Sequence, residues 1–182
     1  MRRYILTGTP GAGKTSILRE LAALGHHTVA EAATDVIAAE QARGVPEPWQ
    51  RADFVDRITA EQRDRRLRGT AALQIHDRSP VCTHALSVFL DRPVSPALAA
   101  ELTRITRERS YEPQVFFIRN LGFCEPTPAR RISFADSLEF ERIHRESYRA
   151  FGFELIEIPA GPLTERVALV RDTLGELSRS AA

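Results

Sequence analysis

The chain is almost without lysine: Lys14 is the one lysine among 182 residues, set against twenty-four arginines. Cysteine is nearly as scarce. Cys82 and Cys124 lie far apart and outside any CxxC pair, which excludes a disulfide framework or a zinc ribbon and leaves two buried or half-buried thiols. No apolar run approaches the roughly 18 residues needed to cross a bilayer, and the start, MRRYILTGTPG, turns glycine-rich before a signal-peptide core could develop. A cytoplasmic location without a membrane span is the expectation. An excess of one charge is missing too. With 25 basic and 24 acidic residues the net charge is +1, which argues against a broad polyanion-binding surface and disfavours nucleic acid as a partner. The densest basic run, EQRDRRLRG, interleaves its arginines with Glu61 and Asp64 at helical spacing and reads as a solvated helix face. The five histidines, His26, His27, His76, His84 and His144, show no metal-ligand spacing and are assigned structural or solvent roles.

What is present is the composition of an ordinary globular protein, 43% hydrophobic and 27% charged. The length suits one domain over residues 1–182, able to bury roughly 70% of the surface its unfolded chain exposes. Short apolar runs at 4–7, 27–30, 71–75, 114–118 and 154–158 alternate with segments of helical periodicity. Those helices are expected at 14–24, 31–44, 54–67, 80–90, 95–107, around 134–152 and at 163–177. Five short apolar strands joined through helices imply a parallel sheet covered on both faces, a three-layer α/β sandwich.

The first strand runs into GTPGAGKT, residues 8 to 15, which satisfies G-x-x-x-x-G-K-[ST] with a strand before it and a helix after it. Average residue usage gives that pattern in a chain this long on the order of one time in a hundred or less. Gly8, Gly11 and Gly13 let successive N–H groups of a loop that also contains Thr9, Pro10 and Ala12 turn inward around phosphate oxygens. The N-terminus of the following helix adds its partial positive charge. Lys14 is expected to reach the β- and γ-phosphates of ATP or GTP, Thr15 to coordinate Mg²⁺, and Ser16 to donate to the α-phosphate. The solitary lysine then has a physical reason. A compact ammonium on a flexible stem fits inside such a loop, whereas a planar guanidinium is larger and demands a fork-shaped partner.

Signatures of GTPases, NKxD and DxxG, are missing, which leaves small phosphoryl-transfer enzymes as the leading class. IHDRSP follows the third strand, so Asp77 could hold Mg²⁺ beside Thr15 with Arg78 pointing into the same cleft. Glu31, at the carboxyl end of the second strand, is placed to accept a proton from an acceptor hydroxyl, with Asp35 one turn on as the rival base. RNLGFCEPTPARRIS has the position and make-up of a lid, at about 119–135, and its Arg119, Arg130 and Arg131 could stabilise charge on the transferring group; Arg130 and Arg131 are the better candidates. Pro46, Pro48, Trp49 and Phe54 offer an apolar wall for the acceptor.

GTPGAGKTSILREL, VAEAATDVIAAEQ with PEPW, IHDRSPVCTHAL, and EFERIHRESYRAFGFELIEIP with TERV resemble the small AAA-type ATP-binding domains over roughly residues 3 to 172. That family also takes in the ribosylnicotinamide kinase domain of bacterial NAD regulators. The resemblance implies a kinase-type phosphate-loop fold, a five-stranded parallel sheet in the order 2-3-1-4-5, and ATP with Mg²⁺ as ligands. Deoxynucleoside and nucleotide kinases are similar more loosely, through a strand-two carboxylate base, an acidic-arginine motif after strand three and an arginine-bearing lid, which Glu31, Asp77-Arg78 and Arg130-Arg131 match. ARRIS differs from an adenylate-kinase lid, and Asp77-Arg78-Ser79 lacks the aromatic third residue common in thymidylate kinases. The expected activity is phosphoryl transfer from ATP to a small, nucleoside-like acceptor. The alternative is a nucleotide-dependent switch with no such acceptor, and a polynucleotide kinase ranks last.

Overall fold

Arg2–Thr7 (β1) places Tyr4, Ile5 and Leu6 in succession, and a strand must send them to alternate faces. All three are completely buried, which only a sheet covered on both sides allows. In the computed structural model, which describes residues 1–122 and 133–179, β1 is the central strand of such a sheet. After it come α1 (Lys14–Ala23), β2 (Thr28–Val29), α2 (Ala32–Ala42), a 3₁₀ turn (Pro48–Gln50) and α3 (Phe54–Arg68). The chain continues through β3 (Leu73–Asp77), α4 (Pro80–Phe89), α5 (Pro96–Arg107), β4 (Gln114–Ile118), α6 (Phe134–Ala150), β5 (Glu154–Ile158) and α7 (Leu163–Arg179).

The five strands are parallel and ordered β2-β3-β1-β4-β5, the order expected from the family resemblance. Alternation splits the core. Tyr4 and Leu6 pack with Ile17 and Leu21 of α1 and with Val170 and Leu174 of α7. Ile5 faces the opposite layer, with Val81 of α4, Leu98 and Ile105 of α5, and Tyr148 of α6. Each fully buried side chain of this kind stabilises the fold by about 1.5–3 kcal/mol. Ser-Pro pairs start two of the helices. Ser79 and Ser95 accept hydrogen bonds from the Val81 and Leu98 N–H groups, and the prolines that follow occupy positions where no N–H is needed. Among the described residues, no helix is long and apolar enough to cross a membrane.

Three strands differ from the sequence expectation, the first by starting at Arg2 rather than at residue 4. The second, at one edge of the sheet, is only two residues long, since Thr28 and Val29 alone pair with β3. The third covers Leu73–Asp77 rather than 71–75, since pairing with β1 begins at Arg2 opposite Leu73 and ends at Leu6 opposite Asp77. Asp77 is therefore part of the strand, one position from the place where β1 gives way to the glycine loop. β1 has β3 on one side and β4 on the other, so the connections diverge there and leave a crevice at the strands' carboxyl ends.

Candidate functional site

β1 delivers the chain to Gly8, where φ is +136° and an added Cβ would lie 2.3 Å from the Ile118 carbonyl oxygen. No side chain fits, so the loop can pass tightly over β4. At Gly13 φ is +82°, and the chain turns directly into α1. Lys14 is 6% exposed, and its Nζ donates to the carbonyl oxygen of Thr9 at 2.7 Å, folding the side chain back across the loop. Burial, with repulsion from Arg78, brings this ammonium down to about 8 despite the opposing pull of Asp77, Glu31 and Cys82. A cation held so poorly compensated is primed for anionic ligands. Gly11, Gly13, Lys14, Thr15 and Ser16 line a cavity of about 330 Å³, closed across the crevice by Glu31, Thr34 and Arg78.

Arg78 is the first residue beyond β3 and has φ +72°, a left-handed conformation unusual for arginine and costing on the order of 1–3 kcal/mol. Its contacts hold it there. The backbone N–H donates to Leu6 O at 3.0 Å, and Nε forms an ion pair with Glu31 Oε1 at 2.5 Å. Its Nη1 lies 3.4 Å from Nε2 of His144, whose Nδ1–H donates to Phe140 O, which leaves Nε2 as the acceptor. Glu31 stands at the N-cap of α2 but makes no side-chain cap bond; its carboxylate turns instead to Arg78 and accepts from Thr34 Oγ1 at 3.0 Å. Burial pushes the Glu31 carboxyl up, but Arg78 and Lys14, together with hydrogen bonds from Thr34 and Arg78, outweigh it and hold the group below its usual range. Asp35, the rival base, pairs with Arg65 at 2.6 Å and lines neither cavity described here.

Asp77 is 5% exposed and its Oδ1 is buried without a hydrogen-bond partner. Burial lifts this carboxyl to about 6, with Lys14 and Arg78 pulling against it and Glu31 adding to it. A buried lone carboxylate oxygen beside the phosphate loop suits a hard cation, and the Asp77 carboxylate and the hydroxyl of Thr15, an exposed residue, are the oxygen donors that could hold Mg²⁺.

A second cavity, of about 350 Å³, opens on the other side of the Glu31–Arg78 pair. Trp49, Phe54, Phe89 and Phe140 are its aromatic lining, and Ile37, Ile58 and Leu86 add to it. Polar groups are few: Gln62, Thr83 and Arg92 reach it, as does Cys82, whose Sγ lies 2.8 Å from Thr7 Oγ1 and 3.2 Å from Tyr148 Oη. Pro10, Glu31, Ala33, Ile37 and Arg78 border both cavities.

Of the residues singled out from the sequence, the structure brings together the loop from Pro10 to Ser16, Glu31 and Arg78, with Asp77 beside them. Trp49 and Phe54 form part of the wall of the aromatic cavity, whereas Pro46 and Pro48 do not. Arg119 is held in ion pairs with Glu141 and Glu157, away from the loop's cavity. Arg130 and Arg131 lie outside the described residues, as does most of the lid expected at 119–135. Four further residues belong to the surroundings of the site. His144, assigned a structural or solvent role from its spacing, meets Arg78, while Phe89, on the apolar stripe of α4, and Phe140 of α6, which the sequence does not single out, line the aromatic cavity. Arg166, which falls in the TERV segment of the resemblance without an assigned role, lies behind the loop, where its Nη2 donates to Ala12 O at 2.7 Å and approaches Arg119 O at 3.4 Å. A signal for Arg166 existed, because it shares the apolar stripe of α7 with Val170 and Leu174.

Residues 3–166 match the family described as an AAA domain. No curated protein matches the chain by sequence. Solved structures do share its fold. NadR protein, in complex with NAD and AMP-PNP, is 18% identical with a TM-score of 0.69, over 96% of this chain but only 49% of its own. The chain thus spans about half of that protein's length. Deoxyadenosine kinase from M. mycoides with bound dCTP superposes over 97% of this chain and 100% of its own, at 14% identity and a TM-score of 0.62. Shikimate kinase from Acinetobacter baumannii in complex with shikimate covers 97% and 94%, at 19% identity and a TM-score of 0.52. The fold is that of phosphate-loop kinases.

Proposed function

The chain belongs to the AAA domain family, and on that premise we propose that it is an ATP-dependent phosphotransferase acting on a small, nucleoside-like alcohol. One observation carries the reading: a cavity lined by the glycine loop and Lys14 and an aromatic cavity of similar size meet at the Glu31–Arg78 pair. A switch that binds only a nucleotide has no use for the second cavity. A transferase needs it, since two reactants must be held with their reacting atoms in line.

In this reading the N–H groups of Gly11 and Gly13 and the Lys14 ammonium hold the triphosphate of ATP. The flat part of the acceptor lies among Trp49, Phe54, Phe89 and Phe140, which also exclude water. Its hydroxyl reaches Glu31, kept ionised by Arg78 and Lys14, and Glu31 accepts the hydroxyl proton as the oxygen attacks the γ-phosphorus. Arg78 orients Glu31 and stays charged at the boundary, where negative charge passes between the transferred group and ADP. Thr15 and Asp77 would hold Mg²⁺, which when bound supplies charge neutralisation at the phosphate oxygens.

The test is incubation with γ-labelled ATP and a panel of alcohols, among them purine and pyrimidine nucleosides, nicotinamide riboside and non-aromatic sugars. Transfer to a ring-bearing alcohol, lost in Glu31→Gln, is the expected result. Tight ATP binding with no transfer to any alcohol would overturn it in favour of the switch.

A further inference from the structure

Arg166 is 4% exposed, and among the described residues it has no carboxylate within ion-pairing distance. Its Nη2 donates to Ala12 O at 2.7 Å and to Arg119 O at 3.4 Å, while Nε is buried without a partner. Burial of an unpaired charge is costly, and replacing such a group by an apolar one often stabilises a fold. This guanidinium is thus poorly explained as a contributor to the unliganded fold. Its position offers another reason. Nη1 would be only 3.0 Å from a Cβ at Gly13, so the side chain lies directly against the turn from which α1 starts.

The peptide between Ala12 and Gly13 is planar and trans, so its C=O and N–H point in opposite directions. With the Ala12 carbonyl pinned to Arg166 behind the loop, the Gly13 N–H is turned the other way, toward the cavity that Gly13 lines. A charged donor on the carbonyl also polarises the amide and strengthens its N–H as a donor. Gly13 at φ +82° has the backbone freedom that would let this peptide rotate without such an anchor.

We infer that Arg166 is a positioning residue for the phosphate site: from behind the loop it orients and polarises the Gly13 N–H, and its buried charge is balanced by the polyphosphate bound on the other side. This rests on the reading of the loop as a triphosphate site, and not on any acceptor.

Calorimetric titration of the full chain with ATP and with inorganic tripolyphosphate tests it, using Arg166→Met, Arg166→Lys and Lys14→Ala, with the thermal midpoint of each unliganded variant. Arg166→Met is expected to weaken both ligands by a similar factor, about tenfold or more, because what is lost is phosphate binding. Its unliganded midpoint is expected to equal or exceed that of the unsubstituted protein. Arg166→Lys keeps the charge but places it on a compact ammonium without the planar fork that lies against the Gly13 turn, so an intermediate loss is expected, and this arm stands if the methionine variant does not fold. Unchanged tripolyphosphate affinity in either variant overturns the role, and so does a loss of ATP affinity alone. A drop in the unliganded midpoint with no loss of affinity in the folded fraction overturns it in favour of simple packing. If the unsubstituted protein binds ATP and tripolyphosphate no better than Lys14→Ala does, the loop reading itself fails. The two failures are therefore distinct.

Discussion

The two cavities that meet at Glu31 and Arg78 are nearly equal in volume and opposite in construction. The phosphate side is made mostly from one run of chain, Pro10 to Ser16, and it works through backbone N–H groups, one ammonium and a helix terminus. The aromatic side is assembled from α2, the Pro48–Gln50 turn, α3, α4 and α6, whose lining residues are spread along the chain from Ala33 to Phe140. Electrostatics drives binding on one side and burial of apolar area on the other. Substitutions should therefore separate them, and Glu31, shared by both, should be the exception.

The largest expected effect falls on that shared position. Glu31→Gln should reduce transfer to an accepted alcohol by about 100-fold or more while ATP affinity changes little, measured as kcat beside a nucleotide titration. Equal losses in both would mean that Glu31 belongs to the phosphate side alone. Lys14→Ala should come next, weakening ATP by about 100-fold through loss of a buried charged donor, while binding of the alcohol in the absence of ATP stays intact.

Asp77→Asn tests whether the phosphate side is strained when empty. In the fold the carboxyl is raised to about 6 from an ordinary value near 3.8, so the native state holds its proton more tightly than the unfolded chain does. Stability falls as pH rises through that window and the penalty is complete above it. The asparagine variant, unfolded by urea in the presence of a chelator, should therefore be more stable by on the order of 2 kcal/mol at pH 7 to 8. The gain should vanish below about pH 4. Smallest of all, Phe89→Ala should raise KM for the alcohol by about tenfold, from lost apolar contact, and leave ATP affinity unaltered. A matching fall in ATP affinity would dissolve the distinction between the sides.

Legibility in the sequence followed the same division. The loop could be read because its residues are neighbours in the chain, and each has a conformational or chemical reason visible at that position. Glu31 and Arg78 could be placed at strand ends, but their 2.5 Å pairing depends on β2 and β3 lying side by side. Asp77 read as a residue after a strand, and register with Leu6 made it the last residue within one. Asp35 looked equivalent to Glu31 on periodicity, and only the approach of Arg65 from α3 separates them. Phe89 reads as a helix-stripe apolar and Phe140 is not singled out by the sequence; the cavity both line lies between helices.

The sequence by itself determined the strand, glycine loop and helix around Lys14, the alternation that demands a parallel sheet covered on both faces, and an apolar stripe on nearly every helix. Those follow from backbone conformational limits and from periodicities of two and 3.6, which act over a few residues. Tertiary structure alone decided which carboxylate faces the phosphate cavity, how far β3 extends, what the aromatic wall is made of, and that Arg166 stands behind Ala12. Each of these is a contact between residues from about 30 to more than 150 positions apart. Local rules carry no information about such pairs until the sheet order brings them together.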